Sequence, residues 1–272
     1  MIDMRAVVGR HDIVLITLDS LRYDVAGAAL AEGRTPTLAA LLPGGAWEAR
    51  HTPGSFTYAA HQAFFAGFLP TPARPGKHRR LFAARHPRSA TTGPGTWVFD
   101  APDLVTALAA HGYHTICIGG VGFFTDQGGL ASVLPGLFAE RHWHPRCGVD
   151  APDSTEHQVR LAVDAMGRLP RDRRAFLFIN VSATHQPTHI YLPGATRDSV
   201  VSQAAALAYA DGRLPPLIDA LRRRGPTLMI VCGDHGAAFG DDGYVGVRLG
   251  HPVVWTVPYA EFILPALAEG QP

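Results

Sequence analysis

Thr227-Leu-Met-Ile-Val231-Cys232-Gly233-Asp234-His235-Gly236 is the stretch that decides how this chain folds. An apolar, β-branched run of this length suits a parallel strand covered on both faces. It ends on an aspartate and a histidine and then turns on glycine, which puts two metal-ligand types at the carboxyl end of a strand. Open α/β sheets bind their ligands at that end. Near the N-terminus, Ile13-Val-Leu-Ile-Thr-Leu18 has the same form and ends on Asp19. Either aspartate taken alone reads as the cap of the following helix. Two strand tips far apart in sequence, each carrying a carboxylate, point instead to one shared metal site.

A chain of 272 residues buries a large core, and 47% hydrophobic with 17% charged residues describes a globular protein. The formal net charge of +1 gives no reason to expect a nucleic-acid partner. Cys117, Cys147 and Cys232 are an odd number without C-x-x-C spacing, and two of them sit in strand-like apolar runs. This argues for free thiols in a reducing compartment. Residues 1–10 carry no basic segment followed by a long apolar stretch, and no run approaches the ~20 apolar residues of a membrane span. The expectation is a cytoplasmic protein with no membrane partner. Composition leaves the oligomeric state open.

Strand and helix patterns alternate, which predicts an α/β fold with a mainly parallel sheet between helical layers. Helices are expected from Pro36, from Asp103 to Leu108, and from Ser154 to about Leu169. Another runs from about Asp198 to Arg224, bent or divided at Pro215-Pro216. Further strands are expected at Tyr113–Ile118, Ala175–Val181 and Tyr259–Leu264. Between residues 70 and 97 there is no periodicity, only a loop rich in Pro, Gly, Arg and His that includes Lys77-His-Arg-Arg80. The whole chain, 1–272, reads as one domain with that loop inserted.

Thr52-Pro-Gly-Ser-Phe-Thr57-Tyr-Ala-Ala-His61-Gln-Ala-Phe-Phe-Ala-Gly67-Phe-Leu-Pro70 is the second signature. A hydroxyl at a loop-to-helix junction lies beside free backbone N–H groups and the positive end of a helix dipole. Anions are favoured there, and a nucleophile is helped there as it becomes an alkoxide. Ser55 and Thr57 both fit that place, and either also fits as a plain helix cap.

At this point the chain resembles a compact member of the alkaline phosphatase and sulfatase superfamily. Thr57, His61, Gly67 and Pro70 occupy the Thr, His, Gly and Pro positions of its Thr-x-x-Ser-His-x-x-x-x-x-Gly-x-x-Pro pattern, with Ala60 in place of Ser. Val14 to Asp24 is similar to the first strand and metal-binding Asp, and Leu104 to Thr115 to the helix preceding a Gly-Tyr-x-Thr strand. Thr184-His185-Gln-Pro187 is similar to the His-x-Pro turn, and Val231 to Gly236 to the closing Asp-His-Gly. These matches keep the family's order from about residue 13 to residue 264.

The resemblance implies an alkaline-phosphatase-like α/β/α sandwich. It implies that Asp19, Asp234 and His235 bind one divalent cation, with Zn²⁺ or Mn²⁺ favoured by the nitrogen and oxygen donors. It makes Thr57 the nucleophile and His185 the histidine that donates to the substrate's oxygens or to its leaving group. His251 falls at the family's late metal or substrate histidine. His189, four residues after His185, has the spacing of a ligand pair for a second cation. His61 is expected to support the nucleophile turn, and Asp24 to hold Arg22.

Two departures bear on the chemistry. Sulfatases place Cys at the nucleophile position with Arg four residues on, where this chain has Thr57 and His61. They also follow the Gly-Tyr-x-Thr strand with Gly-Lys-x-His, where this chain reads Gly119-Gly-Val-Gly122. Sulfate esters are therefore disfavoured. The leading expectation is a metal-dependent hydrolase of small anionic phosphoesters through a phosphothreonine. The alternatives are a phosphoryl or phospho-alcohol transferase and a non-catalytic protein that holds metal and phosphate.

Overall fold

The computed structural model describes residues 2–67 and 103–267, so the loop expected at 70–97 lies outside the described residues. The strands in chain order are β1 (Asp12–Leu18), β2 (Glu48–His51), β3 (His114–Ile118), β4 (Glu140–His142) and β5 (Ala175–Val181). They continue with β6 (Thr227–Gly233), β7 (Ala238–Phe239), β8 (Val245–Gly246) and β9 (Thr256–Leu264). The helices are α1 (Met4–Val7), α2 (Tyr23–Ala31), α3 (Pro36–Leu41), α4 (Thr57–Ala66) and α5 (Leu104–Ala110). After them come α6 (Ser154–Arg168), α7 (Val200–Asp211), α8 (Pro215–Arg224) and α9 (Pro252–Trp255).

Every residue of β1 and of β5 is buried, as the continuous apolar runs require of strands covered on both faces. The main sheet has the order β2-β9-β6-β1-β5-β3-β4. From β6 to β4 all neighbours are parallel, while β9 runs antiparallel to β6 and β2 antiparallel to β9. Alternate residues feed two cores. Val14, Ile16, Leu18, Leu177 and Ile179 pack with Val25, Val159, Met166, Leu207 and Leu221 from α2, α6, α7 and α8. On the other face Ile13, Leu15, Phe176 and Phe178 pack with Phe65 of α4 and Val105 and Leu108 of α5. The result is the expected three-layer α/β/α sandwich.

Register decides what meets at the carboxyl ends. Leu18 lies opposite Gly233 on one side and Val181 on the other, and Thr17 lies opposite Asn180. Asp19 and Asp234, each one residue further, therefore emerge side by side from adjacent parallel strands.

The expected long helix is divided as its prolines require, with Pro215 in the first turn of α8. The last strand begins at Thr256, three residues before its expected start. β2, with all four residues exposed, offers no apolar pattern from which to read it.

At the opposite end of the sheet, Asp12 is fully buried, and its carboxylate accepts the Ala175 N–H at 2.8 Å and Arg224 Nε at 3.0 Å. The same guanidinium donates to the Met166 and Leu169 carbonyls at 3.0 and 2.9 Å, satisfying the last turn of α6. Arg224→Met strands a buried carboxylate and is expected to cost about 3–5 kcal/mol in denaturant unfolding. Glu48→Ala, which breaks the exposed pair with Arg50, is expected to cost under about 1 kcal/mol.

Candidate active site

Asp19 and Asp234 leave their strands on turns that fix both carboxylates. Ser20 takes a left-handed backbone (φ 62), and its N–H donates to Asp234 Oδ1 at 2.9 Å. The His235 N–H donates to the same oxygen at 2.9 Å. Asp19 Oδ2 accepts from Asn180 Nδ2 at 2.9 Å. His235 donates from Nδ1 to the Gly236 carbonyl at 2.9 Å, which leaves Nε2 as the ligating nitrogen. Gly236 is required here, because a Cβ would lie 1.9 Å from the Val253 carbonyl oxygen.

One ligand atom each from Asp19, Asp234 and His235 lie within 4.8 Å of one another, and all three residues are buried. His235 Nε2 is 3.4 Å from Asp234 Oδ2 and 3.9 Å from Asp19 Oδ1. Burial and the neighbouring Asp19 charge push the Asp234 carboxyl well above the usual carboxylate range, against the pull of two backbone N–H groups. Burial also raises Asp19, but His185, His235 and the Asn180 amide outweigh it and hold Asp19 below its usual value. Asp234 Oδ2 is buried without a hydrogen-bond partner. An orphaned carboxylate oxygen beside a second buried carboxylate and an imidazole nitrogen is the donor set a divalent cation satisfies. The three residues fit such an ion.

Thr57 is the first residue of α4, and the cap position before it is Phe56, whose side chain makes no capping hydrogen bond. The first N–H groups of α4 therefore have no side-chain acceptor at the cap. The Thr57 hydroxyl turns into the cluster, 3.2 Å from His235 Nε2 and 3.4 Å from Asp19 Oδ1. Thr57, rather than Ser55, thus faces the ligand set. One turn on, His61 donates from Nδ1 to the Thr57 carbonyl at 2.7 Å and accepts at Nε2 from the Thr17 hydroxyl at 3.0 Å. Burial drives His61 down to about 4, so it is neutral at pH 7 and positions the turn.

His185 lines an open cleft together with Thr57. Its Nδ1 donates to the Gln186 carbonyl, leaving Nε2 available. The other two histidines are not brought into the ligand group. His251 caps α9, with Nδ1 accepting from Val253 N–H and Nε2 at 3.1 Å from Asp242. His189 Nδ1 is 2.9 Å from Asp198. Both side chains make contacts within their loops instead, and among the described residues the cluster has three members, Asp19, Asp234 and His235. Arg22 is held by both oxygens of Asp24 and by Asp241, which ties the β1 turn to the β7–β8 hairpin.

Asn180 and Gln203 are site residues that motif reading misses. Asn180 supports Asp19 and Thr17, and Gln203 donates to the Ser20 and Thr184 carbonyls at 2.8 and 3.1 Å. The available signal is a lone amide one residue before the end of an otherwise apolar strand, and a glutamine inside an alanine-rich helix.

The like charges predict a separation of stability from binding. Asp234→Asn is expected to leave the metal-free protein at least as stable as wild type. At a cation concentration of about 100 Kd, wild type gains about 2.7 kcal/mol, seen as a rise of roughly 5–10 °C in Tm. Asp234→Asn loses that rise, and an equal rise in both proteins would remove Asp234 from the ligand set.

No curated protein sequence matches the chain. Among solved structures, the soluble domain of lipooligosaccharide phosphoethanolamine transferase A from Neisseria meningitidis superposes with TM-score 0.64 at 14% identity, covering 93% of this chain and 76% of that one. The C-terminal periplasmic domain of EcEptC from Escherichia coli, in complex with Zn, gives TM-score 0.64 at 13% identity, covering 93% and 72%. The lipoteichoic acid synthase LtaP from Listeria monocytogenes gives 0.60 at 16% identity, with 94% of this chain spanning 66% of that one. No helix among the described residues is long and apolar enough to cross a membrane. These likenesses share the fold, and the sequence pattern of the Sulfatase family matches from residue 11 to residue 255, so the chain belongs to that family.

Proposed function

We propose that this chain is a metal-dependent phosphoryl-group transferase that uses Thr57 as its nucleophile. The observation that carries the reading is the Thr57 hydroxyl, 3.2 Å from the free nitrogen of His235 and 3.4 Å from Asp19, beside an orphaned Asp234 oxygen. A nucleophile, a cation-binding set and an uncapped helix start converge on one point. The absence of Cys at the nucleophile position supports phosphate over sulfate esters. The structural likeness to a phosphoethanolamine transferase and to LtaP supports transfer over simple hydrolysis.

Asp19, Asp234 and His235 would hold the cation, and one nitrogen with two carboxylates suits Zn²⁺ or Mn²⁺ over Mg²⁺. Such an ion lowers the pKa of a neighbouring hydroxyl and offsets charge on phosphoryl oxygens. The chain's own residues do the rest. The N–H groups opening α4 face the non-bridging oxygens, where the helix dipole favours negative charge. Thr57 Oγ1 loses its proton to solvent in the open cleft and bonds to phosphorus as the ester P–O bond breaks. His185 Nε2 protonates the departing alkoxide, then takes the proton of the acceptor hydroxyl that attacks the phosphothreonine. Asn180 and His61 keep Asp19 and the Thr57 turn in place throughout.

Thr57→Ala is expected to lose at least about 10³-fold in turnover of chromogenic phosphoesters, while keeping the cation-induced rise in Tm. Wild type trapped during turnover should carry phosphate on the peptide containing Thr57. Added alcohols should divert the product from free phosphate to a new ester. Turnover unaffected by the substitution would remove Thr57, and a product that no alcohol diverts would make the enzyme a hydrolase. Cation and ester binding without turnover would leave a non-catalytic protein.

A further inference from the structure

The cleft that reaches Thr57 and His185 has a wall of a different chemistry from the ligand set. It measures ≈ 350 Å³, and beyond those two residues its lining is apolar: Val121, Phe123, Leu130, Ala131 and Val149, with Gly122. Phe123, Leu130, Ala131 and Val149 are only partly buried, so apolar surface stays open immediately beside the nucleophile. Phe123 is braced from behind by the rings of Tyr58 and Phe56, with centroids at 5.4 and 6.4 Å. Among the described lining residues no side chain carries a carboxylate, amide or guanidinium.

This wall is rigidly referenced to the reacting centre. A Cβ on Gly119 would lie 2.0 Å from the Phe124 carbonyl oxygen, and one on Gly120 would lie 2.1 Å from that of Asn180. The paired glycines let the segment after β3 press against the end of β5. Val121 N–H then donates at 2.9 Å to Asn180 Oδ1, the other end of the amide that holds Asp19. The Gly119–Gly122 stretch, which lacks the polar side chains sulfatases carry there, thus opens an apolar subsite in their place.

We infer that this cleft binds an uncharged apolar group, alkyl or aryl, that forms the organic part of the phosphoester substrate. The inference rests on the reading of Thr57 as the reacting residue, since that reading puts the phosphoryl group at the cleft's polar end. An apolar substituent leaves water for partly covered side chains, worth about 0.8 kcal/mol per seated methylene, or about fourfold in binding. An ammonium or carboxylate group in the same place would lose hydration with no partner on the wall to replace it.

The test uses the metal-loaded full chain and two series, n-alkylphosphonates as binding probes and n-alkyl p-nitrophenyl phosphodiesters as substrates, from methyl to hexyl. Affinity by calorimetry is expected to rise about fourfold per methylene before levelling as the cleft fills, and 2-aminoethylphosphonate to bind below ethylphosphonate. Phe123→Ala and Leu130→Ser, two substitutions at different depths, should each flatten the slope while the cation-induced rise in Tm persists. A chain-length slope in binding without turnover of any ester would sustain the apolar subsite and overturn the transferase reading. Turnover with no chain-length slope, or tighter binding of the aminoethyl probe, would overturn the subsite and leave the transferase reading standing.

Discussion

Two carboxylates are buried side by side on the tips of adjacent parallel strands, and the rest of the site is arranged around that fact. Asp19 and Asp234 cannot both be charged in a dry interior without a positive partner. The chain satisfies one oxygen of Asp234 with two backbone N–H groups and one oxygen of Asp19 with an amide, and it leaves a second Asp234 oxygen unmatched. Ser20 adopts a left-handed backbone to deliver one of those N–H groups. The arrangement is poorly balanced for a protein core and well balanced for holding a cation. It also gives a role to the His235 Nδ1 hydrogen bond to the Gly236 carbonyl: a ring free to rotate would not present a fixed lone pair at Nε2.

Much of this centre was legible in the amino-acid sequence because strand ends have a local signature. Apolar runs closed by Asp19 and by Asp234-His235 point to the three clustered residues, and a hydroxyl at a helix start points to Thr57 or Ser55. Choosing between those hydroxyls needed the backbone, since it depends on which residue begins α4. The direction of β9 was not legible, because a short run such as Tyr259-Ala-Glu-Phe-Ile-Leu264 pairs equally well either way. β2 and β4 lie at the sheet edges and carry charged residues, so no apolar alternation marks them. Asn180 was hidden for another reason. Its importance comes from register, which sets it beside Thr17 and next to Asp19 across the sheet. His189 and His251 had suggestive spacing, but spacing does not reveal that Asp198, later in the same loop, and Asp242, from the β7–β8 turn, engage them.

The fold separates two kinds of surface in space. The β1 and β6 tips, with the start of α4, carry the buried carboxylates, His235 and the Thr57 hydroxyl, and are built from short local motifs. The segment after β3 faces the same cleft with apolar side chains and no motif of its own. The neighbours of low identity share the fold, and the apolar wall is built from Val121, Phe123, Leu130, Ala131 and Val149 of this chain.

The Asn180 amide joins those two halves. Its nitrogen end supports Asp19 and its oxygen end receives Val121 N–H, while Gly120 approaches too closely for any side chain to intervene. The apolar wall and the Asp19 carboxylate are therefore not independent modules in this molecule. A loop transplanted from another family member to change specificity would inherit one fixed anchor, a backbone donor at position 121, and would need a glycine ahead of it. Diversification is freer farther out, at the partly buried Leu130 and Ala131. Substitutions nearer the anchor would be expected to show epistasis with changes at Asp19, so that change is admitted from the outer wall inward.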